Sequence, residues 1–429
     1  MKKLCVVSCP IATRSGYGSR SRDFVRSLIQ IKGEEWDIRI LPQRWGNTPQ
    51  TALTEVDSDL TSRFVTNLET KPDVWIQITI PSEFQAVGHF NIGVSAVIET
   101  TQATPTFIEG CNRMDLNLVS SKHSATTLNV VYDKMDDKTK QKVGELKLTK
   151  SVEVLFEGFH ENIYDNKKPV HTSVNEVISN IKEDFAFLFV GHWLQGNMGQ
   201  DRKNVSGLIN TFFHTFKNKS KKPALILKTS VVAPGIMNVH ELRKRIEMIK
   251  NTVDSKNLPN IYILDGDLSD EEMNSLYNHP KVKAHVSFTK GEGFGRPLLE
   301  ACLSGKPIIA SNWSGHLDFL HKDYNFLIGG DIQQVDSSAA NDWIMKEAGW
   351  FNINYSEAGG HLKWIYENYK KAEERSRKNR KYVKDNFTIE KMTQLLGDIL
   401  QKYSIENKPQ QIALQLPTLQ LPKLKKLNV

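Results

Sequence analysis

The fold is constrained most by a recurring alternation of short apolar runs with longer stretches of helical spacing. The runs KLCVV (3–7), DVWIQIT (73–79), IGVSAVI (92–98) and LNLVSS (116–121) come first. After a gap the pattern restarts with FAFLFVG (185–191), ALILKTS (224–230), IYILDG (261–266), KAHVSF (283–288) and PIIAS (307–311). Such runs are short, flanked by turn residues and rich in strand-forming side chains, so they read as strands. Between them SRDFVRSLIQ (21–30) reads as a helix. NVSGLINTFFHTF (204–216) is a second, with Val205, Leu208, Ile209, Phe212 and Phe216 on one face. Strands alternating with helices imply a parallel sheet covered on both sides. Two such successions give an α/β fold class with two Rossmann-like, doubly wound parallel-sheet domains.

The stretch 160–182 carries Pro169 and little apolar content, and is the expected junction. The domains are expected at 1–170 and 171–385, with a helix at 386–405 crossing back to the first domain and a tail at 406–429. The polar stretch 133–150 reads as surface. A last helical pattern runs from about Asp342 to Tyr403, and its charged segment 367–386 reads as a solvated face. The tail repeats Leu-Gln-Leu-Pro, which argues against helix and leaves a disordered end or a docking strap.

Composition excludes several classes. A chain of 429 residues, 39% hydrophobic and 24% charged, has the make-up of a globular protein. Cys5, Cys9, Cys111 and Cys302 form neither a CxxC pair nor a zinc spacing, so buried thiols in a reducing cytoplasm are expected. MKKLCVVSCPIA reads as a first strand rather than a secretion signal, because Arg14, Arg20, Arg22 and Arg26 follow without a cleavage pattern. No apolar stretch reaches the length of a membrane span. A net charge of +7 permits an anionic partner without requiring one.

The chemistry concentrates in KGEGFGRPLLE (290–300), where glutamates bracket three glycines. The segment follows the strand KAHVSF and precedes the apolar run RPLLEACLSG. Pro297 suits a first helical turn and Gly305 a helix end. The segment is therefore a strand-to-helix loop, with free N–H groups suited to phosphate and glycines that admit close approach. Carboxylates there accept hydrogen bonds from hydroxyls. A nucleoside diphosphate sugar, with phosphate in the middle and hydroxyls at both ends, satisfies the whole arrangement.

EGFGRPLLEACLSGKPIIASNWSG resembles the donor-site signature of retaining glycosyltransferases of the GT-B fold, the family-four group also called glycosyl transferases group 1. FLFVGHWLQGNMGQDRKNVSGLINTF, the stretch from Asp265 into the signature, and IETTQATPTFIEGCNRMDLNLVSSKHSATTL extend the likeness. It is strongest over 185–320 and weaker over 1–130. The resemblance implies two domains facing across a cleft, with nucleoside diphosphate sugar as donor substrate and no other cofactor. It implies that Glu292 bonds the transferred sugar and Glu300 the ribose. Backbone from Gly293 through Phe294, Gly295, Arg296 and Pro297 to Leu298 would meet sugar and phosphate oxygens. Lys203 and the adjacent Arg202 would neutralise the leaving diphosphate. Without the resemblance, that pair reads as solvated residues at a helix start. Leu268 would lie by the base, and Lys228 at the same sheet edge. Gly16, Tyr17 and Gly18 would form the floor. Glu99, at the end of a strand, is an acceptor contact or a surface acid. His123 reads as the start of a helix.

The family often carries an arginine near His192 and Trp193; this chain does not, and a protonated His192 is one substitute. The resemblance also implies retention by front-face attack. The pair Glu292 and Glu300 is not the opposed pair of a glycosidase. The motif DGD (265–267) reads as a turn, and no essential metal is expected. The acceptor stays open. NWSGHLDFL is similar to bacteriophage-encoded members, which points to hydroxymethylated pyrimidines of phage DNA; Arg20, Arg22, Arg26, Arg44 and Trp45 are its candidate contacts, although Arg20, Arg22 and Arg26 equally suit a core-packed helix with solvated arginines. Trp45 equally suits a sugar cap or a core. A cell-surface polysaccharide or lipid-linked glycan, with peripheral membrane contact, is the alternative. A non-catalytic nucleotide-sugar-binding module is the reading from another class. Oligomeric state is not encoded in any feature found here.

Overall fold

The computed structural model describes residues 2–403 except 47, 137, 232 and 233; the expected tail at 406–429 lies outside the described residues. The first sheet has six strands in the order Trp36–Pro42, Lys3–Cys9, Val74–Ile78, Phe90–Ser95, Leu116–Val119 and Ser151–Val154. All its pairings are parallel. The second has six in the order Ile261–Leu264, Ala224–Lys228, Ala186–Val190, Val282–Ser287, Ile308–Ser311 and Phe326–Ile328. It too is wholly parallel. In chain order the second sheet runs 3-2-1-4-5-6, which reverses direction between Ala186–Val190 and Val282–Ser287. Ligands of open parallel sheets bind beyond the carboxyl ends of strands at such a reversal.

The strands read from sequence are mainly central ones, buried on both faces. Those not read are edges. Trp36–Pro42 alternates buried and half-buried residues, with Asp37 and Arg39 outward, and Ser151–Val154 carries Glu153. Phe326–Ile328 is only three residues long.

The helical pattern from Asp342 to Tyr403 is corrected. It contains a strand, Gly349–Ile353, and three helices, Tyr355–Glu367, Tyr369–Asn386 and Ile389–Lys402. Asn354 caps the first by accepting the Ser356 and Glu357 N–H groups, and Thr388 caps the last by accepting that of Lys391. Local capping thus divides what periodicity alone had joined. The stretch 133–150 includes most of an exposed antiparallel hairpin, Tyr132–Met135 with Lys142–Leu146.

Two segments stitch the halves together. The helix Ile389–Lys402 buries Met392, Leu396, Ile399 and Leu400 in one cluster with Cys5, Val7, Phe24 and Leu28 of the first domain. The hairpin Gly330–Gln334 with Gly349–Ile353 leaves the second domain and sets Val335, Ile344 and Trp350 against Val97, Ile98 and Phe107 of the first. The Thr101 N–H donates to the Gly349 carbonyl at 2.8 Å. The four cysteines are buried and unpaired, and burial pushes the Cys5, Cys9, Cys111 and Cys302 thiols up. Among the described residues no helix is long and apolar enough to cross a membrane.

Candidate functional site

The loops that follow the two strands at the reversal, 191–204 and 288–295, meet at one place. In the first loop, buried Asp201 accepts the Val205 N–H at 3.0 Å and the Ser206 hydroxyl at 3.0 Å, which caps the helix Val205–Phe216. Asn204 takes a left-handed φ of 52°. This tight turn sends Arg202 and Lys203 into the cleft, with side chains only 16% and 13% exposed. They are not a solvated pair.

Lys203 Nζ lies 2.5 and 2.7 Å from the two carboxylate oxygens of Glu292. Arg202 Nη1 lies 3.1 Å from Glu99 Oε1 and 3.8 Å from Glu292 Oε2, and donates to the Gly291 carbonyl at 3.1 Å. Burial works to raise the Glu292 carboxyl, but Lys203 and Arg202 outweigh it and hold it below the usual carboxylate value. Burial lowers the Lys203 ammonium against the pull of Glu292. Glu99 is therefore no free surface acid. The strand before it ends at Ser95 rather than at Glu99, and Val97 follows in a left-handed conformation, φ 59°. A β-branched residue there is strained, and such strain gathers at functional sites.

The acid-glycine loop is shaped by the opposite domain as much as by any ligand. A Cβ on Gly291 would lie 2.0 Å from the Glu99 carbonyl oxygen, and one on Gly293 would lie 2.8 Å from Ala96 Cβ. The Gly293 carbonyl accepts from the hydroxyls of Ser120, Ser121 and Ser124 at 3.3, 2.5 and 3.2 Å. Gly295 caps the helix Arg296–Cys302 in a left-handed conformation. The Leu298 N–H donates to the Gly295 carbonyl at 2.9 Å, so it is not a free donor for phosphate as expected. Pro297 has none to offer. The Phe294 and Gly295 N–H groups have no acceptor among the described residues. The Phe294 side chain is core, against Phe319.

Glu300 is held at both oxygens. Arg296 Nε donates to Oε1 at 3.0 Å and the Tyr277 hydroxyl to Oε2 at 3.2 Å. Burial raises its carboxyl to about 7, against the opposing pull of Arg296. A carboxylate has about four acceptor positions, so capacity remains for vicinal hydroxyls.

The remaining expected residues scatter more. Lys228 ends its strand at the predicted edge, but its ammonium is bound to the Gly266 carbonyl at 2.5 Å. Leu268 is half-buried on the second domain's core. Partial desolvation and then Lys203, Lys228 and Arg202 lower the His192 imidazole, whose Nδ1 lies 2.7 Å from Ser230 Oγ. A neutral His192 does not replace an arginine. Gly16, Tyr17 and Gly18 form the first turn of the helix Gly16–Lys32 rather than a loop, because Ser15 caps it by accepting the Gly18 N–H at 3.0 Å. Gly16 faces open space, whereas Gly18 packs on the Thr13 carbonyl. Tyr17 reaches the cleft: its hydroxyl accepts the Ala96 N–H at 3.1 Å, and its ring stacks on Trp45 at 4.2 Å.

The arginines of that helix are not a free basic face. Buried Arg20 donates to the Leu155 and Phe156 carbonyls at 2.6 and 2.7 Å. Arg22 donates to the carbonyls of Ile11 and Thr13, and Arg26 pairs with Asp57 and Asp59. A pocket of about 320 Å³ opens at the carboxyl ends of the strands Lys3–Cys9, Trp36–Pro42 and Val74–Ile78, lined by Ser8, Gln43, Arg44, Trp45, Glu83 and Gln85, among others. A larger polar groove, about 1070 Å³, runs between the helices Val205–Phe216 and Tyr355–Glu367 and contains none of the charged cluster. Among the described residues no group of three or more His, Cys, Asp or Glu side chains is arranged to hold a metal ion.

Sequence reasoning missed the residues supplied across the cleft: Asp23, and the hydroxyls of Ser120, Ser121 and Ser124. It also missed Ser314, whose Oγ accepts the Glu292 N–H at 2.9 Å, and buried His316, whose Nδ1 has no partner among the described residues. The only signals were the serine clusters SSKHS and NWSGH.

Residues 202–348 match the family model described as glycosyl transferases group 1. A comparison with curated proteins gave no match. Among solved structures the chain is similar to HepE of Anabaena in complex with UDP-glucose, at 14% identity and a TM-score of 0.57 over 93% of this chain and 100% of that one. It is similar to sucrose-phosphate synthase of Thermosynechococcus elongatus, at 11% identity and a TM-score of 0.59 over 94% and 99%. It is also similar to a glycosyltransferase of Rickettsia africae, at 13% identity and a TM-score of 0.59 over 94% and 98%. The chain has the GT-B fold.

Proposed function

We propose that this chain moves a sugar from a nucleoside diphosphate sugar to an acceptor hydroxyl, with retention and without a bound metal. The observation that carries the reading is the cluster of Lys203 and Arg202 on Glu292 at the strand reversal of the second sheet, facing Glu99 of the first domain. Glu292 accepts a hydroxyl of the transferred sugar. Lys203 and Arg202 face the diphosphate as its bond to the sugar breaks, and these preorganised cations stabilise the developing charge. The Phe294 and Gly295 N–H groups add donors, and Glu300 accepts the ribose hydroxyls. The acceptor oxygen attacks the same face that the phosphate leaves, and a departing phosphate oxygen takes its proton. Glu99 orients Arg202 and meets the acceptor. HepE was seen with UDP-glucose, which makes it the first donor to try.

The acceptor enters by the pocket at Trp45. Trp45 stacks on Tyr17, Tyr17 bonds Ala96, and Ala96 packs on the acid-glycine loop at Gly293, a chain of contacts that links this pocket to the loop carrying Glu292. A half-buried indole beside glutamine amides suits one sugar ring of a glycan. Duplex DNA needs several phosphate contacts, and the internal engagement of Arg20, Arg22 and Arg26 favours the glycan. Glycan and hydroxymethylated DNA acceptors, offered with a panel of nucleotide sugars and read by mass, test both halves. Transfer to DNA alone overturns the glycan reading. No turnover of any donor overturns the enzyme.

A further inference from the structure

We infer that Arg296 is a positioning residue whose single guanidinium ties the ribose-binding carboxylate to the approach of the two domains. This rests on the reading that Glu300 accepts the donor's ribose.

Arg296 opens a helix, where nothing in helix formation calls for arginine. Its side chain is nonetheless only 12% exposed. It reaches both halves of the chain. Nε donates to Glu300 Oε1 at 3.0 Å in its own domain. Nη1 lies 2.6 Å from Asp23 Oδ2, on the first-domain helix Gly16–Lys32, and 3.9 Å from Glu157 Oε2, just past the last strand of the first sheet. The other oxygen of Asp23 lies 2.7 Å from His160 Nε2. Asp23 is thus fixed at both oxygens, as Glu300 is by Arg296 and Tyr277.

The charges make this a clamp rather than ordinary packing. Asp23, Glu157 and Glu300 are 4%, 8% and 8% exposed, and Arg296 stands among all three. Arg20 also acts on Glu157 and Asp23, and Arg22 on Asp23, but the guanidinium of Arg20 is spent on two carbonyls and the Met392 sulfur and that of Arg22 on the Ile11 and Thr13 carbonyls. Opening the cleft draws Asp23 away from Nη1. Arg296 is then free to swing, and Glu300 loses the fixed Nε donor that orients Oε1. Planar guanidinium geometry is what lets two carboxylates be held in fixed relation; a lysine holds a point charge only. A donor whose ribose needs an oriented Glu300 therefore binds the closed arrangement better, and by linkage it closes the domains.

The test uses the full chain with Asp23→Asn, Arg296→Lys, Glu300→Gln and the double variant Asp23→Asn/Glu300→Gln. Donor KM and kcat come from hydrolysis of UDP-glucose, and the radius of gyration with and without UDP comes from X-ray scattering. Asp23→Asn is expected to raise donor KM about tenfold with kcat little changed, as fits losing one charge-assisted bond. It should also abolish contraction on UDP. Arg296→Lys keeps the charge and should recover only part of the affinity. The double variant should be no worse than Glu300→Gln alone. A purely structural role would lower the folded fraction and leave KM alone. If Glu300→Gln leaves KM unchanged, the ribose reading fails and the coupling with it. If Glu300→Gln raises KM while Asp23→Asn alters neither KM nor contraction, the clamp is overturned and the ribose reading stands.

Discussion

Replacing Lys203 with methionine separates what the charged cluster does for stability from what it does for turnover. The ammonium sits within 2.5 and 2.7 Å of the two Glu292 oxygens, and the side chains are 13% and 9% exposed. At an effective dielectric constant of about 20, unit charges about 3 Å apart attract by about 5 kcal/mol. Desolvation of both groups cancels much of this when the pair is removed together. Removing Lys203 alone leaves Glu292 with Arg202 at 3.8 Å as its nearest cation. That half-broken pair should cost about 3 kcal/mol of stability. The double variant Lys203→Met/Glu292→Gln should recover most of it. Turnover should not recover: losing a cation aimed at the leaving diphosphate should lower kcat by about a hundredfold or more in both. Denaturant unfolding and single-turnover release of UDP read the two effects. A Lys203→Met variant as stable and active as the parent would refute the reasoning.

Three further outcomes follow from named contacts. The Glu300 carboxyl is pushed up to about 7 in the folded chain by burial, with Asp270 adding to the rise and Arg296 opposing it. The folded state thus binds this proton more tightly than the unfolded chain, with its ordinary value of about 4.3. The associated stability is full below about pH 4 and is lost as pH rises through about 7; unfolding titrations from pH 4 to 8 should lose that slope in Glu300→Gln. Gly291→Ala puts a methyl 2.0 Å from the Glu99 carbonyl oxygen, so the seam must part; scattering should show an expanded chain, and donor hydrolysis should fall about tenfold or more. Trp45→Ala should raise acceptor KM about tenfold and leave donor KM within about twofold, read by steady-state kinetics with each substrate varied.

How much of this was legible depends on where the contacts lie in the chain. Central strands such as Ala186–Val190 and Ala224–Lys228 are buried on both faces and announce themselves as continuous apolar runs. Edge strands such as Trp36–Pro42 keep one row of polar residues and do not. The division of the terminal helical stretch rests on Asn354 and Thr388 as caps, signals weaker than the period around them. In the site, the strand-to-helix loop itself drew attention to Glu292, whereas Lys203 and Arg202 entered only through the family resemblance; the structure sets all three together. The work of Arg296 was not legible, because Asp23 is 273 residues away in sequence. The glycines were expected to make room for phosphate. Gly291 and Gly293 also make room for Glu99 and Ala96 of the facing domain, which no local pattern records.

Glu292 is the group proposed to meet the transferred sugar, opposite Lys203 and Arg202. The most direct test of that role is release of nucleoside diphosphate from a panel of nucleotide sugars, UDP-glucose included, by the parent chain and by Glu292→Ala. The parent should turn over at least one donor and the variant about a hundredfold less, with the nucleoside diphosphate itself still bound. Equal turnover by the two proteins would contradict that role.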